Sequence, residues 1–308
     1  APAGAGGGMG PGVAPASTNN NQQAAAAPIP VTAARAERDA MANAVAANSL
    51  RTNAGANGGV IGQLARRIAA ALHAPPSVPA AAFEFVWAVG LTTDDDIVVA
   101  NPYGIGYIPD GVSLPEQAIL VSADDAIPAR ERGTWVGLPY LALQGWAHFH
   151  GKSLKMIFGT ETELKGFDVG AAKDVLQPDD IPENGTMQGR GRLQVISAAA
   201  AAALDGVSDI ELASVLPPRP VQDVVPDEES AQKLWMEMLK PLMRTIGSNA
   251  GGEHLKRFIE YAVYRQQAAL YRAYTAPYVV AQREAISEWI YWQHVTVIIA
   301  DALNSELV

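Results

Sequence analysis

The side chains able to do chemistry in this chain are few and scattered. His148-Phe149-His150 comes nearest to a metal-ligand spacing. Residues two apart on a helix point about 200° from each other, so one ion cannot take both. A strand would present both on one face, but no acidic or histidine partner with ligand spacing stands nearby, and the pair reads as ordinary surface histidines. His73, His254 and His294 are isolated. Asp94-Asp95-Asp96, Asp124-Asp125 and Asp179-Asp180 could form paired carboxylates or a hard-cation site. Each falls in a predicted turn, where Asp bonds local backbone, and no EF-hand spacing surrounds them. Gly104-Ile105-Gly106 starts like a phosphate loop but lacks the third glycine, and Pro109 stands where a helix would have to begin. Gly189-Arg190-Gly191-Arg192 is one short basic patch, read as a loop anchor. There is no Walker lysine, no Gly-x-Ser-x-Gly elbow and no cysteine, so no thiolate ligand or nucleophile. The residues point to no catalytic site, no metal and no cofactor.

What remains is binding chemistry. The last ninety residues carry Trp235, Phe258, Tyr261, Tyr264, Tyr271, Tyr274, Tyr278, Trp289 and Trp292. Most must be helix–helix core, with Tyr261, Tyr264, Ala268 and Tyr271 at the 3–4 spacing of a bundle seam. Tyr and Trp also carry binding energy at interfaces, and Tyr264, Tyr271, Tyr278 and Trp289 are the candidate partner-binding residues.

The elements around them follow from periodicity. Residues 1–30 are Ala, Gly, Pro, Asn and Gln with almost nothing to bury, and read as a disordered linker. A helical lead-in spans 31–79, with helices over 32–48 and 60–73 and Pro75, Pro76 and Pro79 ending it. A mixed α/β domain over 80–216 follows, with a small sheet that is mostly antiparallel or mixed. Its opening stretch, Phe83 to Val121, reads as strand, acidic turn, buried strand, glycine loop, short strand and strand. Phe85, Trp87 and Val89 share one face. A helix over 138–150 has Pro139 in its first turn, and Ser153–Phe158 alternates as a strand. Residues 159–191 read as acidic loops with a short turn near Ala171–Val175, Leu193–Ile196 as a last strand, and Ser197 as the cap of an alanine helix. A Pro-rich linker, 217–225, leads to a helical bundle over 226–308, with Asp227 or Ser230 as a cap, Pro241 as a kink and a break at Gly247–Gly252. The fold class is α+β.

Charge narrows the partners. The net charge of −10 is spread as +3 over 1–81, −11 over 82–215 and −2 over 216–308. An acidic middle repels phosphate backbones, which argues against nucleic acid. No apolar run approaches the roughly 20 residues that span a bilayer, so membrane insertion is not expected. The chain opens on Ala1 rather than Met and reads as a piece of a longer protein.

One stretch carries more than its periodicity. Trp87-Ala88-Val89-Gly90, an acidic turn, an apolar strand, then Gly106-Tyr107-Ile108-Pro109-Asp110-Gly111-Val112 with Leu114-Pro115 resembles a domain of actinobacterial type VII (ESX) secretion-associated proteins, best over residues 83–215. The resemblance implies a chaperone-like adaptor, not an enzyme. Its partner would be an exported substrate protein or the secretion ATPase of such a system. It assigns no active-site residues, and its setting would be cytoplasmic, with export left open. Exported members of such systems often carry Tyr-x-x-x-Asp/Glu, and none of the nine tyrosines here has an acid four positions on. Two other classes stay open: an enzyme with the acidic loops 159–191 as a lid over the sheet, and a structural homo-oligomer subunit with the aromatic stripe against its own copy.

Overall fold

The computed structural model describes residues 59–75, 86–165, 167–168, 170–220, 225–243 and 250–304. The expected linker over 1–30, the helix over 32–48 and the strand residues Phe83–Phe85 lie outside them. Five strands form a single mixed sheet: β1 (Ala88–Thr92), β2 (Ile97–Ala100), β3 (Ala118–Leu120), β4 (Leu154–Gly159) and β5 (Ala172–Val175). The spatial order is β3-β2-β1-β4-β5, with β1 antiparallel to β2 and β4, and parallel pairing at both edges.

Ten helices accompany the sheet among the described residues. Helix α1 (Val60–Leu72) and α3 (Pro139–Phe149) cover its two faces; α2 (Ala129–Gly133) and α4 (Glu161–Leu164) are short. Then come α5 (Arg192–Ile196), α6 (Ala198–Asp205), α7 (Leu212–Val215), α8 (Glu228–Met243), α9 (Ala250–Thr275) and α10 (Val279–Asn304).

The period-two pattern decides which side chain meets which helix. Trp87, Val89, Leu91, Ile97 and Val99 pack with Ala65, Ile68 and Leu72 of α1. Ala88, Val98 and Ala100 pack with Tyr140, Leu143 and Trp146 of α3. Covered on both faces, β1 and β2 are buried throughout, which is why their sequences run apolar rather than alternating. Pro139 does begin α3, where a missing N–H costs nothing.

Several local expectations give way. Leu193–Ile196 is not a strand but most of α5, because Arg192 starts a turn of helix anchored by its own side chain. Ala171–Val175 is not a turn, since Ala172–Val175 pairs parallel to β4 as an edge strand. Tyr107-Ile108 forms no strand and lies in a buried loop. Of the break predicted at Gly247–Gly252, residues 247–249 lie outside the described residues, and Gly251 and Gly252 belong to α9. The caps hold: Ser197 Oγ accepts from the Ala200 amide and Asp227 Oδ2 from the Ser230 amide, at 3.2 and 2.9 Å.

The C-terminal helices α8, α9 and α10 pack together, and Met238, Leu239, Phe258, Tyr261, Ile286, Trp292, Val295 and Ile299 fill their core. Tyr103, Ile105 and Tyr107, from the β2–β3 connection, belong to that same core. Parallel neighbours need a long connection, and here a buried loop inserted among helices supplies it where a crossover helix would be usual.

Gly145 shows how tightly α3 is fitted. A Cβ there would stand 2.7–2.8 Å from the buried indole of Trp135. Alanine is worth about 1 kcal/mol to a helix interior relative to glycine, but overpacking a rigid ring costs about 1–3 kcal/mol. Gly145→Ala is therefore expected to lower the melting temperature. A higher melting temperature would show that the Trp135 ring yields.

Candidate partner-binding surface

The residues that looked able to do chemistry are occupied in holding the fold. Gly104, Ile105 and Gly106 take φ of 64°, 49° and 70°, three left-handed residues in succession, which glycine allows and isoleucine resists. The Gly106 amide donates to Ser122 Oγ at 3.0 Å, and the Ile108 amide to the Tyr291 hydroxyl at 2.8 Å. Asn101 braces the turn from inside: its amide nitrogen donates to the Tyr107 carbonyl and its oxygen accepts from the Tyr103 amide. These amides face protein, not an anion site. Tyr107 sits edge-on to Phe258, 5.5 Å between centroids, and tilted against Trp235 and Trp292. Burial first of all pushes its hydroxyl well above the ordinary tyrosine range.

Asp110, three residues on, pairs with Arg192 and, at 2.9 Å, with Arg265. Burial pushes its carboxyl up, but the two guanidinium groups hold it below its ordinary range. Arg192 is buried, pairs also with Glu288, donates to the Ile108 carbonyl and lies 4.6 Å from the Tyr291 ring centroid. The Gly189–Arg192 patch thus anchors the loop to α10.

Most carboxylates of the acidic turns are likewise paired. Lys152 bonds Asp96 at 2.5 Å and lies near Asp94, while Lys155 reaches Asp95. Asp180 pairs with Arg66. Asp124 accepts from Trp146 Nε1 at 2.7 Å and meets His150 Nε2 at 2.8 Å, a surface pair at the end of α3. His148 is exposed beside it. Among the described residues no group of three His, Asp or Glu side chains could hold a metal ion.

The four candidate aromatics are not brought together. Tyr264 is half-buried; its hydroxyl accepts from the Asp227 amide and donates to the Asp227 carbonyl, at 2.9 and 2.7 Å. Trp289 packs half-buried against the helical core, and Tyr271 is half-buried on α9. Tyr278 alone stands free in water, 64% exposed at the α9–α10 turn.

Around Tyr278 the structure assembles apolar residues that the aromatic pattern missed. Val279 and Val280 open α10 and are exposed, Val280 by 63%. On the same side of α10, Arg283 donates to the carbonyls of Leu204 and Val207 and to Asp209, each at 2.8 Å. That clamp draws the 206–211 turn to the start of α10, and the next residue, Ile210, is 96% exposed. Tyr278, Val279 and Val280 thus stand exposed at one end of the helical hairpin, and Ile210 stands exposed on the turn that Arg283 holds to α10. Isolated exposed apolar residues need no explanation, but a group of them marks a contact surface. The usable signals were Ile210 alone between Asp209 and Glu211, and two valines following Tyr278 where a helix begins.

A helix-covered mixed sheet locked through a buried loop to a helical hairpin is the architecture the chain presents. The chain belongs to the EspK C-terminal domain family, whose model matches residues 75–304. It is 46% identical over 270 residues to the ESX-1 secretion-associated protein EspK of Mycobacterium tuberculosis (strain CDC 1551 / Oshkosh), an alignment covering 88% of this chain and 36% of that protein. An uncharacterised protein of Mycolicibacterium smegmatis (strain MKD8) is also 46% identical over 270 residues, with 88% of this chain and 35% of that protein aligned. The chain spans about a third of the length of these relatives. The resemblance carried by Trp87–Pro115 leads to the same family; its Gly90 lies in β1, its Gly106 and Tyr107 in the buried loop, and its Asp110 at the exposed end of that loop. No described helix is long and apolar enough to cross a membrane.

Proposed function

We propose that this chain serves type VII secretion as a chaperone-like adaptor, binding an exported substrate protein or the secretion ATPase. Family membership supplies the system. The single observation supporting protein recognition is the exposed group Tyr278, Val279 and Val280 at the hairpin end, with Ile210 on the turn held to it.

The division of labour is physical. The −11 carried by residues 82–215 draws in a basic or polar segment of the partner, at a rate that falls as salt shortens the screening length to about 8–10 Å. Tyr278 then anchors it, because a ring with a polar tip gains most from leaving water at the centre of an apolar contact. Capture from a type VII-competent lysate with the full chain as bait identifies the partner. Against that partner, Tyr278→Ala is expected to weaken binding by about 2 kcal/mol, roughly 30-fold, with the melting temperature unchanged. Tyr264→Ala should do the reverse: it frees Asp227 and lowers stability while leaving affinity alone. Unaltered binding by both Tyr278→Ala and Val280→Asp would remove the hairpin end from recognition.

A further inference from the structure

Helix α1 is gripped by more than its apolar face. Its buried residues are Gly62, Ala65, Ile68, Ala69, Ala70 and Leu72, four of them Gly or Ala, with Ile61 and Leu64 packed partly buried against the same core. Cations hold it as well. Arg66 pairs with Asp174 of β5 and with Asp180, at 2.6 Å for the latter, and donates to the Val175 carbonyl. His73, one residue past the helix, has acceptors at both ring nitrogens: the Ala69 carbonyl at 2.6 Å and Glu163 Oε2 at 2.9 Å. An imidazole satisfies two acceptors only as the cation. Arg66 and His73 are seven residues apart, two helical turns, so the two cations lie along one stripe.

The receiving side is a cleft with two walls. The sheet face with Trp87, Leu91 and Phe158 forms the floor. The 174–191 segment forms the side, carrying Asp174 and Asp180, and at Gly185 it approaches so closely that a Cβ would strike the Ala71 carbonyl. Glu163 closes the far end, braced by the Thr160 amide at 2.8 Å. The occupant lies N-terminal to the span matched by the family model, residues 75–304. A 13-residue helix is marginal alone in water, so α1 keeps its shape by being docked.

We propose that this cleft is a helix-binding site, with α1 as its resident and exchangeable occupant, and that it accepts in trans a short helix with a Gly/Ala face and two cations two turns apart. Such a ligand displaces α1, so the contact doubles as an autoinhibitory one. It is separate from the hairpin end, and its failure would leave the adaptor reading untouched.

Protonation tunes the grip. Burial pulls the His73 pKa down, but the hydrogen bond and charge of Glu163, with the Ala69 carbonyl, outweigh it and raise it above 6.5. Glu163 is pushed up by burial and held below its ordinary 4.5 chiefly by His73. Tyr140, whose own pKa is raised by burial and then by Glu163, is the other titratable group at this end, and Arg66, Asp174 and Asp180 face each other along the side. A raised His contributes fully below 6.5 and its contribution is lost as pH climbs through the folded value. A depressed Glu contributes above 4.5 and is lost as pH falls. Docking is strongest between these limits.

The test uses a fluorescein-labelled peptide of residues 59–75 titrated with the full chain. Resident α1 competes at the high effective concentration of a tethered ligand, so the unaltered chain should bind weakly. Arg66→Glu in the chain loosens the resident and is expected to tighten binding of the wild-type peptide at least about tenfold. The same change in the peptide should abolish binding, and affinity should fall several-fold from pH 6 to pH 8 unless the peptide carries His73→Gln. A folded Arg66→Glu chain that takes up no peptide would overturn the proposal. So would α1 amides that exchange only together with those of β1 and β2. A second variant, Arg66→Gln in the chain, loosens the same grip more gently and leaves the cleft intact, tightening peptide binding less. If both variants fail to fold, α1 is integral core and the proposal is equally overturned.

Discussion

Replacing Trp292 with alanine is expected to destabilise the protein by about 3–5 kcal/mol. Trp292 is fully buried and meets Tyr261 edge-on at 5.6 Å and Tyr291 at 5.1 Å, with Tyr107 on a third side. Arg192 and Arg265 lie over its ring at 5.6 and 5.2 Å. Truncation opens a cavity where the loop, α9 and α10 meet, and the surrounding rings are too rigid to refill it. Trp292→Phe should behave differently. The indole Nε1 is buried and finds no hydrogen-bond partner among the described residues, a defect worth about 1–3 kcal/mol. Phenylalanine removes that defect while losing some volume, so its net cost should stay below about 1.5 kcal/mol. Urea unfolding of the two variants checks the pair. Equal losses would mean that the nitrogen is satisfied in solution, or that the cavity collapses.

A second large effect lies in acid. His254 is fully buried in α9, its Nδ1 2.9 Å from the Met238 carbonyl, stacked on Tyr103 and beside Phe258. Burial lowers its pKa from 6.5 to about 4, against weaker upward pulls from the Met238 and Tyr103 backbone. Because the folded value is the lower one, the unfolded chain takes up a proton below pH 6.5 that the folded chain refuses. Stability is therefore intact above 6.5, falls as pH drops towards 4 and levels off below it. At about 1.4 kcal/mol per unit the full loss is about 3 kcal/mol. Carboxylates held low by partners, Asp110 among them, add their own losses at lower pH, so the informative quantity is a difference. His254→Phe keeps an aromatic between Tyr103 and Phe258 and should flatten the stability profile between pH 6.5 and 4. An unchanged slope would place the acid sensitivity elsewhere.

How far the sequence could be read follows from what each element buries. α3 and α10 were legible from apolar residues at helical spacing, and β1 and β2 from short apolar runs, because those strands are covered on both faces. The parallel edge strand Ala172–Val175 was not, since Ala-Lys-Asp-Val buries none of its residues fully. Leu193–Ile196 reads equally well as strand or helix, and the Arg192 contacts that settle it come from Asp110 and Glu288, far away in the chain. Among the candidate aromatics, spacing could not separate Tyr278 from Tyr264. The difference is one backbone partner, Asp227, thirty-seven residues upstream. Ile210, Val279 and Val280 went unnoticed because what groups them is the Arg283 clamp, a tertiary contact.

The Ile108 amide reaches the Tyr291 hydroxyl across 183 residues of chain. During synthesis the strands β2 and β3 leave the ribosome long before α10 does, so the connection between them must wait for its partner with Tyr103, Ile105 and Tyr107 uncovered. At about 5–20 residues per second that wait lasts on the order of ten seconds or more. A chain cut short before α10 would keep those side chains exposed permanently and so advertise its own incompleteness to proteases. The nascent chain is thus marked as unfinished until α10 arrives.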